Sequence, residues 1–110
     1  MLALGVDNFT GTRLHDSHNI LALFYADWCP FCRSFLVLFE KTMKDKTDPL
    51  AALVDISDTN NPLWETFEIE IVPTLVGFRN GQAVVRNDGV AGVGLGMSEL
   101  EDALRKMEKR

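Results

Sequence analysis

Residues 20–43 decide the fold, and they read Ile-Leu-Ala-Leu-Phe-Tyr-Ala-Asp-Trp-Cys-Pro-Phe-Cys-Arg-Ser-Phe-Leu-Val-Leu-Phe-Glu-Lys-Thr-Met. The stretch opens with an apolar run of strand length, which predicts a buried strand. From Phe31 to Met43, large apolar residues recur every four positions, as on one face of a helix. Cys29 and Cys32 therefore lie where a strand ends and a helix begins. Free backbone N–H groups and the positive end of the helix dipole stabilise a thiolate at such a place.

The composition of the whole chain is that of one small soluble domain, which we place at residues 1–110. The 110 residues are 46% hydrophobic and 25% charged, which is ordinary for a globular protein. The net charge of −5 argues against nucleic acid, whose binding needs a basic face, and against an anionic membrane surface. The longest apolar run, residues 20–26, is too short to span a bilayer.

The first residues lack the basic and apolar regions of a signal peptide, so we expect a cytoplasmic protein, and we expect a monomer. Thiols are kept reduced in that compartment, so a structural disulfide is not expected. The chain has two cysteines, and both are in one Cys-x-x-Cys motif. In the cytoplasm such a pair predicts redox chemistry or metal binding.

Further strands and helices are predicted on both sides of the central unit. An edge strand is predicted in residues 1–6 and a buried strand in residues 50–56. A short helix follows, with Asn61 as its cap and Pro62 as its first residue. Strands are then predicted in residues 74–78 and 83–86, joined by an Asn80-Gly81 type I′ turn, and a capping box at Ser98 and Glu101 opens the final helix. In the polar segment 7–19, His15 and His18 are interpreted as solvated, because no further metal ligand is near them. Trp64 is interpreted as structural. This order predicts an α/β fold, a three-layer sandwich with a central mixed β-sheet flanked by helices.

The segment Phe24-Tyr25-Ala26-Asp27-Trp28-Cys29-Pro30-Phe31-Cys32 resembles the active-site strand and helix of the thioredoxin family. The resemblance continues through Val54-Asp55-Ile56, Phe67-Glu68-Ile69, Val72-Pro73-Thr74-Leu75, Phe78-Arg79-Asn80-Gly81 and the last helix. It covers nearly the whole chain from about Phe9 onward. It implies a thioredoxin-like fold and a protein-disulfide oxidoreductase that works without a bound cofactor.

The two cysteines are expected to have different roles in a dithiol–disulfide couple. Cys29, at the exposed tip of the helix, is expected to be the nucleophile that attacks a substrate disulfide. Cys32, one turn further in, is expected to be the shielded thiol that closes the internal disulfide. The alternative is a pair of inert buried cysteines or a structural disulfide.

The resemblance also implies a substrate-binding surface around the cysteines. Pro73 resembles the family's cis-proline, and the bend there would expose the backbone of Val72 for pairing with an extended substrate segment. Trp28 is expected to cover the cysteines, and Pro30 and Phe31 are expected to contact substrate as well. The alternative for Pro73 is an ordinary trans proline, and the alternative for Trp28 is a tryptophan of the core.

Several positions depart from the family pattern. Leu23 stands where thioredoxins usually have a buried acid, and Val37 stands in place of the mid-helix proline. We also expect the Phe31 N–H, together with that of Cys32, to reach the Cys29 thiolate, since thioredoxins have at the position of Phe31 a proline, which offers no N–H. Together with Leu23, this predicts a reduction potential of roughly −240 to −200 mV, above the roughly −270 mV of thioredoxin.

Three functions remain open from the sequence. The first is a thiol–disulfide oxidoreductase that acts on protein disulfides and takes electrons from a thioredoxin-reductase-type partner or from glutathione. The second is a glutaredoxin-type, glutathione-linked reductase, because a Pro-aromatic pair between the cysteines is closer to glutaredoxins. The third is a metal or iron–sulfur carrier or a redox adaptor module, although two cysteines cannot complete a four-thiolate site.

Overall fold

The computed structural model describes residues 1–108. In chain order the elements are β1 (Leu2–Leu4), a 3₁₀ turn (Val6–Asn8), β2 (Phe9–Thr10), β3 (Arg13–Leu14), β4 (Ile20–Tyr25), α1 (Pro30–Met43), β5 (Leu50–Asp55), α2 (Leu63–Thr66), β6 (Thr74–Arg79), β7 (Gln82–Asn87) and α3 (Met97–Glu108). Five strands form one sheet in the order β1-β5-β4-β6-β7. The first three are parallel, and β6 and β7 are antiparallel to their neighbours. The predicted mixed sheet is confirmed.

The strand β4 lies at the centre of the sheet, and both of its faces are buried. Its side chains Leu21 and Leu23, on one face, lie in a core with residues of α1 and α3. The helix residues in this core are Phe35, Phe39, Met43, Leu100, Ala103 and Met107. The opposite face of β4 packs in a second core with Leu63 of α2, with Phe67 directly after that helix, and with Phe9 and Leu14 of the N-terminal segment. Helices therefore cover both faces, as the three-layer prediction requires. No helix within residues 1–108 has the length and apolar character needed to cross a membrane.

Residues 7–19 contain a hairpin that the sequence interpretation missed. β2 and β3 pair antiparallel across Gly11, which has a positive φ of 57°. Phe9 and Leu14 are buried by this hairpin. The glycine is the signal that predicts such a turn, but the strands are too short to show an alternating pattern. His15 hydrogen-bonds Thr10 through its Nε2 atom.

Two predicted helix starts are wrong, that of α2 by one residue and that of α3 by two. α2 begins at Leu63 and not at Pro62, although the Asn61 Oδ1 atom accepts the Leu63 N–H at 2.9 Å as a cap would. α3 begins at Met97, and the Glu99 carboxylate accepts the Gly96 N–H at 2.8 Å. The capping side chain is therefore Glu99 rather than Glu101, because the helix starts earlier than the Ser98 pattern indicated.

The turn between β6 and β7 has the predicted hairpin geometry, since φ is 56° at Asn80 and 83° at Gly81. A Cβ atom at Gly81 would lie 2.6 Å from the Leu14 carbonyl oxygen. Gly81→Ala is therefore expected to destabilise the protein by more than about 1 kcal/mol, since it adds both left-handed strain and a backbone clash. The free energy of unfolding in urea measures this effect.

Gly5→Ala is the matched control for that measurement. Gly5 has an extended φ of −139°, and a Cβ atom there would have nothing within 4 Å. We expect its unfolding free energy to stay within about 0.5 kcal/mol of the wild-type value. Equal losses in the two variants would contradict the hairpin argument.

Candidate active site

The two cysteines open α1, directly after the chain leaves β4. Cys29 is the N-cap residue, and Pro30 is the first helical residue, a position where proline costs no hydrogen bond. The Cys29 Sγ atom accepts the Cys32 N–H at 3.2 Å. A sulfur thus occupies the place of the usual capping oxygen, facing free N–H groups and the positive end of the helix dipole.

Cys29 is more enclosed than the sequence indicated. Its exposed fraction is 6%, so the expectation of an exposed helix tip is wrong. It belongs to a core cluster that also contains Ala26, Ile56 and Val72, which come from three separate segments. The Cys29 thiol donates to the Val72 carbonyl oxygen at 3.5 Å. The Val72–Pro73 peptide bond is cis, as the resemblance implied.

Cys32 lies deeper than Cys29, with an exposed fraction of 1%. Burial raises the pKa of the Cys32 thiol to about 12, and its hydrogen bond with Cys29 acts in the same direction. The backbone of Ala26 lowers that pKa by a smaller amount. Cys32 is therefore a protonated thiol at neutral pH, shielded as the sequence predicted.

Phe31 lies between the cysteines and points away from the core. Among residues 1–108, its N–H makes no hydrogen bond to the Cys29 sulfur, so that expectation is wrong and the predicted reduction potential loses its support from Phe31. The side chain is 42% exposed, unlike the later members of its helical stripe. A Cβ atom at Gly94 would lie 2.7 Å from the Phe31 Cβ atom, so the two residues are in close contact.

Trp28 precedes the cysteines and is 54% exposed, so it is not a core tryptophan. Its indole Nε1–H donates to the Ser57 carbonyl oxygen at 2.8 Å. Its ring stacks on that of Trp64, with ring centroids 6.3 Å apart and an interplanar angle of 7°. Nothing in the spacing of the sequence indicated this contact, because Trp64 is on α2 and reaches the site only through the fold.

Ser57 is a second residue that sequence analysis missed. Its hydroxyl accepts the Asp27 N–H at 2.8 Å, and the Asp55 carboxylate accepts the Ser57 N–H at 2.8 Å. These bonds tie the turn before Cys29 to the end of β5. Asp-x-Ser at the end of a predicted parallel strand is a turn pattern that could have drawn attention to this position.

The segment between β7 and α3 borders the other side of the site. A Cβ atom at Gly89 would lie 2.5 Å from the Pro73 carbonyl oxygen, and Gly94 contacts Phe31. Between these two contacts, Val90 and Val93 are exposed. Trp28, Phe31 and these valines give the surroundings of the cysteines an apolar surface, which is typical of a protein-binding site.

The chain matches known proteins along almost its whole length. The family model described as Thioredoxin matches residues 1–104. A thioredoxin of Mycolicibacterium smegmatis is 31% identical over 105 residues, which cover 94% of each chain. A protein disulfide-isomerase of Hordeum vulgare is 40% identical over 86 residues, which are 74% of this chain and 17% of that protein. The crystal structure of Chlamydomonas reinhardtii thioredoxin f2 has a TM-score of 0.78 at 23% identity and covers 96% of this chain and 94% of its own. This last likeness shows the fold.

Alkylation of the reduced protein with iodoacetamide tests the environments of the two thiols. Near pH 7 we expect Cys32 to react at least about ten-fold more slowly than Cys29, since only the thiolate reacts. The Cys32 rate should rise about ten-fold per pH unit up to pH 10 without levelling, because its pKa of about 12 lies above that range. Peptide mass spectrometry over a time course measures both rates. In denaturant the two cysteines should react alike, and a folded protein that labels them equally would contradict the assignment.

The contact between Phe31 and Gly94 can be tested with two glycines of the same backbone conformation. Gly94 has a φ of 77° and Gly92 a φ of 75°, but a Cβ atom at Gly92 would have nothing within 4 Å. Both alanine variants add left-handed strain, so the difference between their unfolding free energies reports the Phe31 contact alone. We expect Gly94→Ala to be less stable than Gly92→Ala by about 1–3 kcal/mol, the usual cost of overpacking. Equal stabilities would show that Phe31 moves aside freely.

Proposed function

The chain belongs to the thioredoxin family, and from this premise we propose that it reduces or exchanges disulfide bonds in other proteins through Cys29 and Cys32. As a member of that family it is a thiol–disulfide oxidoreductase. The observation that carries the proposal is the capping position of Cys29. Its sulfur accepts the Cys32 N–H at the start of α1 and lies beside the Val72 carbonyl oxygen.

In the first step, the Cys29 thiolate attacks one sulfur of the substrate disulfide. A mixed disulfide forms between Cys29 and that sulfur, while the substrate bond breaks and its second sulfur leaves as a thiolate. The Cys32 N–H and the N-terminal end of α1 stabilise the attacking anion. The thiol of Cys32 remains protonated during this step because its pKa is about 12.

In the second step, Cys32 attacks the Cys29 sulfur of the mixed disulfide. The Cys29–Cys32 disulfide forms, the substrate's first sulfur leaves, and the Cys32 proton goes to a substrate thiolate. Overall, two electrons and the Cys32 proton pass from the protein to the substrate. The remaining substrate thiolate takes a proton from solvent, which replaces the proton that Cys29 gave to solvent when it ionised, and the reverse direction oxidises a substrate dithiol. The deep position of Cys32 supports this order, since a buried neutral thiol does not compete for the first attack.

The substrate is proposed to lie across the apolar surface that surrounds the cysteines. We assign substrate contacts to Trp28, Pro30, Phe31, Val72 and Pro73. An extended segment of the substrate pairs with the backbone at Val72, which places its disulfide over Cys29. This arrangement is supported by the Cys29–Val72 contact and by the exposed rings of Trp28 and Phe31.

We propose a thioredoxin-reductase-type enzyme as the electron donor of the cycle, since the matched relatives include thioredoxins. The Pro30-Phe31 pair favours the second candidate, a glutathione-linked reductase. Coupled assays separate the two, because only one donor system should sustain turnover: NADPH with thioredoxin reductase, or NADPH with glutathione and its reductase.

We place the protein in the cytoplasm, since reductive thioredoxin-type dithiols need a compartment that keeps thiols reduced. We also propose that it is a monomer. Metal analysis of the purified protein tests the third candidate, a metal or iron–sulfur carrier.

Reduction of insulin tests the proposed activity and the division between the cysteines. Wild-type protein with dithiothreitol should precipitate the insulin B chain, and Cys29→Ser should abolish this activity. Cys32→Ser, reduced beforehand, desalted and mixed with insulin in the absence of dithiothreitol, should accumulate a mixed disulfide, because Cys29 still attacks while the second step is lost. Non-reducing electrophoresis and mass spectrometry identify that species. A species trapped through Cys32 in the Cys29→Ser variant would reverse the assigned roles.

A further inference from the structure

Two indole rings lie in parallel beside the cysteine pair. Trp28 directly precedes Cys29. Trp64 is 36 positions after Trp28 in the chain and belongs to α2. Their ring centroids are 6.3 Å apart and their planes differ by 7°. This is an offset parallel arrangement, which aromatic pairs prefer over a face-to-face sandwich.

Hydrogen bonds fix both rings to the same short piece of backbone. The Trp28 Nε1–H donates to the Ser57 carbonyl oxygen at 2.8 Å. The Trp64 Nε1–H lies 2.9 Å from the Ile56 carbonyl oxygen and 3.3 Å from that of Asp58. The two indole N–H groups therefore donate to three successive carbonyl groups, and neither ring can rotate away without losing a hydrogen bond.

The burial of α2 does not depend on Trp64. Leu63 and Phe67 are each 3% exposed and attach this short helix to the core. Trp64 is half-buried at the edge of that core, where its ring contacts Trp28. A side chain that only filled the core would not need to reach the residue before the nucleophile.

An exposed indole normally moves among several side-chain conformations. A substrate that binds against such a ring must order it, and this cost weakens binding. Trp28 is exposed over about half of its surface, yet the Trp64 ring and the Ser57 carbonyl group hold it in one place. The ordering is thus complete before a substrate arrives.

We propose that Trp64 is a positioning residue that holds Trp28 as a fixed wall for protein disulfide substrates. The inference rests on the proposed function, because it concerns how that site binds a protein. Trp64 acts through Trp28 and does not touch the reacting sulfurs. Its contribution should therefore appear in substrate binding rather than in the rate of thiol–disulfide exchange.

The experiment compares Trp64→Leu, Trp64→Phe and Glu65→Ala with the wild-type protein. Leucine removes the ring, whereas phenylalanine keeps a ring that can stack and loses only the hydrogen bonds. Glu65 is exposed on the same short helix, so its alanine variant controls for disturbance of α2. Each protein is reduced with dithiothreitol, desalted, and mixed with excess insulin in single-turnover stopped-flow runs. The concentration series gives a half-saturating concentration and a maximal rate for each variant.

For Trp64→Leu we expect the half-saturating insulin concentration to rise about three- to ten-fold, the range provided by one aromatic pair. The maximal rate should change less than two-fold, and Trp64→Phe should restore at least half of the lost affinity. Wild-type protein should also show an exciton couplet of stacked indoles in its far-ultraviolet circular dichroism. That couplet should be absent from both Trp64 variants and present in Glu65→Ala.

Three results would overturn the proposal. If wild-type protein is active and the half-saturating concentration is unchanged in Trp64→Leu, this inference is overturned while the proposed function stands. A loss confined to the maximal rate would do the same, since it would place Trp64 in the exchange step. Wild-type protein that does not reduce insulin would overturn the proposed function and this inference together. If Trp64→Leu does not fold, Trp64→Met takes its place, because methionine also removes the ring, and an unchanged half-saturating concentration in that variant would overturn the proposal.

Discussion

The burial of β4 on both faces is the constraint on which the rest of the structure depends. Because its side chains alternate between two cores, the strand cannot slide or rotate without exposing one set of them. The end of β4 therefore lies at a fixed point at the edge of the sheet. The chain turns there into α1, and the cap of that helix is Cys29. The proposed nucleophile is thus placed by a strand that is buried on both faces.

Three other segments meet at the same edge because of the sheet topology. β5 runs parallel to β4, so the residues after it carry Ser57 to the Trp28 indole. β6 runs antiparallel, so the residues before it bring the Val72 carbonyl group to Cys29. The segment after β7 places Gly89 against Pro73. Each contact joins residues far apart in sequence, and each depends on strand direction more than on local conformation.

This dependence explains how far the sequence could predict the site. The apolar run at residues 20–25, the four-residue spacing after Phe31 and the Asn80-Gly81 pair are local patterns, and the elements that they predict are present. The enclosure of Cys29 was missed because it depends on packing between distant segments. Of the two N–H groups expected at the Cys29 sulfur, that of Cys32 is present and that of Phe31 is not, because a capping side chain can accept from the second or the third helical residue, and here it accepts from the third. The stack on Trp64 required the placement of α2, which no local pattern contains.

The first turn of α1 gives the two thiols opposite environments, and this difference orders the proposed cycle. Cys29 faces the free N–H groups of the helix, which favour an anion. Cys32 faces the core, and burial raises its pKa to about 12. Position 23, where the family usually has an acid, holds a fully buried leucine, so a carboxylate from that position cannot take the Cys32 proton. The thiolate released from the substrate in the first step is then the base that the reaction itself supplies. In the proposed cycle, Cys32 is activated only after Cys29 has opened the substrate disulfide, and the order of the two steps follows from the geometry of one helical turn.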